Sequence, residues 1–149
     1  MPRTSSAGGG RRMGRYRILE HTADMGIEAA GETLDELLVQ AARGLMEIIS
    51  GAEALPREER TVEVTAGEVG EILVNWLNEI LFLFDSGGFF PAEFVIEQAT
   101  ENRIRARILG EPFDPVRHPI DREIKAATYH QLRLERGEEG WTARVYLDL

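Results

Sequence analysis

The chain has 149 residues, no cysteine, and 16 arginines plus a single lysine against 26 acidic residues, for a net charge of −9. That length suits one domain, able to bury about 68–70% of the surface its unfolded chain would expose. No apolar run approaches the ~20 residues that cross a bilayer, and the lack of cysteine excludes disulfides, cysteine-ligated metals and thiol nucleophiles.

Residues 1–15 hold four arginines, no acid and a Ser/Gly-rich stretch without apolar periodicity, which predicts a flexible basic tail. Residues 16–149 then form a single domain carrying 13 basic against 26 acidic residues, a body that repels bare nucleic acid over most of its surface. Tyr16 to Leu19 reads as a short strand, His21 to Gly26 as a polar loop, and Ile27 to Ala30 as a second strand. Thr33 and Glu36 form a capping box, in which hydroxyl and carboxylate satisfy the orphan N–H groups of a helix start. Leu34, Leu37, Leu38, Ala41, Leu45, Ile48 and Ile49 follow at helical spacing, with Gly51 as the stop.

A strand at Thr61 to Thr65 leads to a second Thr-x-x-Glu box at Thr65 and Glu68. The helix predicted from it runs to about Asp85 and ends at Ser86-Gly87-Gly88. Apolar residues from Val69 to Phe84 cover nearly its whole circumference, relieved by Asn75, Asn78 and Glu79. From Phe94 the pattern alternates: Phe94 to Ala99 and Arg103 to Leu109 form one hairpin, with Ile104, Ala106 and Ile108 on one face and Arg103, Arg105 and Arg107 on the other. Residues 111–119, with three prolines, form a loop. Ile124 to Glu135 and Trp141 to Leu149 make a second hairpin around residues 137–140. Strand-helix-strand-helix followed by two hairpins predicts an α+β fold: a largely antiparallel β-sheet packed against two amphipathic helices on one side.

The chain lacks a P-loop, a nucleophile elbow and a His-Glu-x-x-His helix, so the common nucleotide-binding and hydrolytic machinery is absent. Three polar islands remain. In the first, His21 and Asp24 lie three residues apart, where Asp24 serves as a turn-former or as a ligand. In the second, Asp148 ends the last strand as a solvated carboxylate, or it adds an oxygen beside those of Leu149; with Asp24 close by, such oxygens bind Ca²⁺ or Mg²⁺. The third runs from His118 to His130 and holds Lys125, either an edge lysine or a phosphate-contacting amine. The arginine row is a solvated face or a basic patch.

Together, His21-Thr-Ala-Asp24-Met-Gly26, Trp76-Leu-Asn-Glu79-Ile-Leu, Gly110-Glu-Pro112 with His118-Pro119, Lys125-Ala-Ala-Thr-Tyr-His130 and the terminal Val-Tyr-Leu-Asp148-Leu149 closely resemble the archease family, collinearly from about Tyr16 to Leu149. The resemblance implies a non-catalytic accessory protein; the absence of cysteine and of a secretory apolar segment makes the cytoplasm its expected address. Its partner would be the guanylylating RNA ligase of tRNA splicing, whose guanylylation and turnover it promotes. Contact with the ligase-bound GTP follows from that reading, and contact with tRNA is only indirect. The resemblance further implies a metal site at Asp24, Asp148 and the backbone oxygen of Leu149, for Ca²⁺ with Mg²⁺ or Mn²⁺ as substitutes. The lysine of the Lys-Ala-x-Thr-Tyr-His motif falls on Lys125, and His21 and His130 join it as partner-contacting residues. Two competing readings are a chaperone or modulator of other RNA- or DNA-processing enzymes such as a methyltransferase, and a small metal-dependent hydrolase of phosphorylated compounds.

Overall fold

The computed structural model describes residues 3–6 (backbone only), 14–20, 24–68 and 70–149, so His21 and Val69 lie outside the described residues. Its elements run β1 (Arg3–Ser6), β2 (Arg15–Glu20), β3 (Met25–Gly31), α1 (Leu34–Ile49), β4 (Glu58–Thr65), α2 (Glu71–Asp85), β5 (Phe89–Ala99), β6 (Arg103–Pro112), β7 (Ala126–Gly137) and β8 (Gly140–Asp148). This is the expected α+β fold, with every strand pair antiparallel. The single sheet expected from the alternating pattern is instead two: a five-stranded sheet ordered β1-β2-β3-β8-β7 and a three-stranded sheet ordered β4-β6-β5. Alternation shows which face of a strand is buried but not which strand lies beside it, and so the division was invisible in the sequence.

The expected tail also differs. Within it, Arg3–Ser6 pair antiparallel with Arg15 to Ile18, adding an edge strand to the larger sheet.

The first capping box forms. Thr33 Oγ1 accepts from the Glu36 N–H at 3.1 Å, and Glu36 reaches back to the Glu32 N–H at 2.8 Å. The second does not, because Thr65 is still in the sheet opposite Arg103, and the Ala66 N–H extends that ladder to Asn102. A turn follows, and α2 starts after Gly70, whose φ of 95° suits glycine.

Both helices contact both sheets: α1 packs on β2, β3 and β8 as well as β5, and α2 on β7 as well as β4, β5 and β6. They share one core with the inward residues of the strands, among them Ile18, Ile27, Ile104, Ile108 and Val145. Trp76 of α2 is fully buried at its centre. Its indole N–H donates to the Leu38 carbonyl of α1 at 2.9 Å, and its ring meets Phe94 of β5 edge-on at 6.1 Å.

Trp76 therefore joins both helices to the smaller sheet. Truncating it leaves a large cavity and a lost hydrogen bond, so Trp76→Ala should lower stability by about 3–5 kcal/mol in urea unfolding. A loss below about 1 kcal/mol would contradict this packing account.

Candidate functional site

The two ends of the domain meet because β3 pairs with β8. The register runs from Gly31 opposite Trp141 to Met25 opposite Leu147. Met25, Ile27, Val145 and Leu147 point into the core, which leaves Asp24 and Asp148 on the opposite face, and both are exposed. Asp24 immediately precedes Met25 and Asp148 immediately follows Leu147, so the two carboxylates flank the last pair of the ladder at the same end. Leu149 is packed against the core, which holds the chain beside Asp148.

Lys125 reaches the same corner from the other side of β8. Its backbone N–H donates to the Asp148 carbonyl at 2.8 Å, and the next residue, Ala126, pairs with Asp148. Asp24, Asp148, Leu149 and Lys125 thus share one edge of the five-stranded sheet. Among the described residues no group of three or more His, Asp and Glu side chains is placed to hold a metal, so a cation at this edge needs backbone or partner oxygens besides the two carboxylates.

His130 is not brought to that edge. The β7–β8 register breaks between Thr128 and Arg133, so the four residues Tyr129 to Leu132 stand opposite Val145 alone. Three extra residues reverse the side-chain phase: Ala127 points inward before the bulge, and Leu132 and Leu134 turn to the core after it. At its centre Gln131 has a φ of 53°, a left-handed conformation that strains residues other than glycine. His130 is exposed on this bulge, where its N–H donates to Thr128 Oγ1 at 3.3 Å.

Two asparagines that the sequence offered only as polar relief on α2 fix this segment. Asn78 makes both available amide bonds with Ala127, accepting from its N–H at 2.8 Å and donating to its carbonyl at 3.3 Å. Asn75 accepts from the Tyr129 hydroxyl at 3.0 Å and donates to the Thr65 carbonyl at 2.9 Å. These bonds set β7 at the height that places Lys125 beside Asp148. The available signal was two asparagines three apart on an otherwise apolar helix.

The Gly110-Glu-Pro112 and His118-Pro119 motifs brace the loop before Lys125. Glu111 and His118 are both buried. Glu111 accepts from the Leu55 N–H at 2.5 Å and pairs with Arg117. His118 stacks on Phe90 with ring centroids 4.1 Å apart and accepts from the Asp114 N–H through Nδ1 at 3.0 Å. Its Nε2 lies 3.3 Å from Glu111 Oε2, off the line of a good hydrogen bond. His118 is thus a structural residue.

The arginine row is a salt-bridged face. Arg103 pairs with Glu63 and Arg107 with Glu59, each at 2.9 Å, and Glu97 lies 3.9 Å from both Arg105 and Arg107. On the outer face of the larger sheet, Glu28 holds Arg17 and Arg144. Burial alone would raise the Glu28 pKa, but the two guanidinium groups lower it. No helix among the described residues is long and apolar enough to cross a membrane.

Two antiparallel sheets sharing one core with two helices, and an exposed edge where Asp24, Asp148 and Lys125 come from three different segments, define a small α+β protein. Residues 16–149 match the Archease protein family (MTH1598/TM1083). The chain is 36% identical to protein archease of Methanopyrus kandleri, over 90% of this chain and 99% of that one. It is 39% identical to protein archease of Methanosarcina mazei, covering 91% and 96%. Its fold is similar to the solution structure of Methanobacterium thermoautotrophicum protein 1598, with a TM-score of 0.71 at 30% identity, covering 90% of this chain and 98% of that one. The chain belongs to the archease family, and that membership supports an accessory role.

The Glu111 brace has a pH signature. The bond from the Leu55 N–H, opposed by burial and reinforced by Arg117, lowers its pKa from the ordinary 4.5 to about 2. A carboxylate held lower in the folded than in the unfolded state contributes stability above its unfolded pKa and loses it as pH falls toward the folded one. In urea unfolding, the deficit of Glu111→Gln relative to wild type should be constant above about pH 4.5 and shrink between pH 4.5 and 3. A deficit independent of pH would contradict the brace.

Proposed function

We propose that this protein is a cytoplasmic, metal-binding activator of a guanylylating RNA-splicing ligase, promoting guanylylation of the ligase's active-site histidine and sustaining its turnover. The observation that carries the reading is the β3–β8 ladder, whose last pair is flanked by Asp24 and Asp148, with the Lys125 backbone bonded to the same strand end. Two exposed carboxylates with backbone oxygens nearby form a hard-oxygen donor set that fits Ca²⁺, with Mg²⁺ or Mn²⁺ as substitutes. Asp24, Asp148 and the backbone oxygen of Leu149 would hold the ion, which supplies a positive centre able to accept phosphate oxygens.

The chain's own residues have separate tasks. The Lys125 ammonium, a compact point charge, offsets the charge of ligase-bound GTP as its phosphates rearrange. Asn78 and the β7 bulge hold Lys125 at that edge, and the Glu111 brace fixes the loop leading to it. Exposed Tyr129 and His130 extend the surface toward the partner, and His21, outside the described residues, is proposed as a further partner contact. The absence of a motif for a nucleophile favours activation of another enzyme over hydrolysis by this chain.

Ligase guanylylation with and without the protein tests this. Lys125→Ala and Asp24→Ala should each abolish most of the stimulation, at least about tenfold, corresponding to about 1.4 kcal/mol of barrier. Full stimulation by both variants would refute it.

A further inference from the structure

Behind Lys125 lies a cleft of about 500 Å³ that the metal edge does not use. Its walls come from the end of α1 (Ile49), the end of α2 (Phe84) and the segment leading into β7 (Phe113, Ile120 and Ile124). Backbone bonds tie those walls to one another at fixed positions: the Asp121 N–H donates to the Ile49 carbonyl at 2.7 Å, and the Phe113 N–H to the Gly88 carbonyl at 2.7 Å. The cleft is therefore built into the fold.

Its charge is opposite to what an apolar ligand would select. Asp85, Glu123 and Lys125 line it, two carboxylates against one ammonium, and among the described residues neither carboxylate makes an ion pair with a base, Lys125 included. Burial, with Glu123 adding to it, raises the Asp85 pKa. Both helices end at this cleft, and neither has a basic residue in its last turn to offset the negative end of its dipole. Phe84 and Phe113, edge to face at 5.0 Å, add aromatic surface.

We propose that this cleft receives an arginine side chain of the protein partner. The methylene stem lies along the isoleucines, the planar guanidinium meets the phenylalanine rings, and its fork of donors bonds Asp85 and Glu123. An arginine seated here anchors the partner next to Lys125 and the Asp24/Asp148 edge. The partner half of this proposal rests on the accessory role proposed above; the guanidinium half stands alone.

The full-length protein, followed amide by amide in NMR, can be titrated with N-acetyl-arginine amide and with its neutral isostere N-acetyl-citrulline amide. Arginine should shift the amides of Phe84, Asp85, Gly88, Ile120 and Glu123. Citrulline, and arginine on the isosteric double variant Asp85→Asn/Glu123→Gln, should each bind about fivefold or more weakly. Equal binding of citrulline, no binding, or shifts elsewhere would overturn the proposal. In the ligase assay the same double variant should require about fivefold more protein for half-maximal stimulation and reach the wild-type plateau; an unchanged half-maximum would overturn the partner half. A wild-type protein that fails to stimulate the ligase would sink the accessory role and the partner half together, while the arginine titration would still decide the cleft.

Discussion

Strand β3, near the start of the domain, hydrogen-bonds along its length to β8, the last strand, in one fixed register. Buried Ile27 and Val145 face each other in that pairing, as do Met25 and Leu147, so a slip of one residue would turn the core-facing set to water. The burial that stabilises the sheet is thus also what brings the segments carrying Asp24 and Asp148 to one end of the pairing. Neither carboxylate contributes to the core, and both are exposed there.

The third strand of that edge is fixed differently. β7 lies at the rim of its sheet, and its ladder with β8 is interrupted by a bulge. Asn78 adds a second hold just before the bulge by bonding both backbone polar groups of Ala127. At the far end of the bulge, Leu132 approaches Gly70 at the start of α2, so the segment is held at both ends by one helix. The helix buried deepest in the core therefore sets the height of Lys125. The Glu111 and His118 brace acts upstream, keeping the three-proline loop closed over Phe90 and leaving the cleft open beside it.

Local chemistry was legible in the sequence. The Thr33 box, the apolar spacing of α1 and the alternation of Ile104, Ala106 and Ile108 depend on near neighbours and appear as read. What failed depends on pairing. Thr65 and Glu68 have the spacing of a cap, but the backbone of Thr65 is committed to β6, 38 residues away in sequence at Arg103. Strand Arg3–Ser6 carries no periodicity and forms on the edge offered by β2. The bulge was written as a phase change between Ala127 and Leu132, a signal visible only once the strand's neighbours are known. At the site, residue types and motif order pointed to Asp24, Asp148, Leu149 and Lys125, whereas Asn75, Asn78 and the acidic cleft needed the three-dimensional arrangement.

The central claim is that one cation is shared by two chain segments 124 residues apart, at Asp24 and Asp148. A calcium titration followed by backbone amide NMR tests it directly. The amides of residues 24–26, 125–126 and 147–149 should move along a single binding curve, and either Asp24→Ala or Asp148→Ala should remove all of these shifts together. Shifts confined to one strand, or an affinity unchanged by Asp24→Ala, would contradict the account.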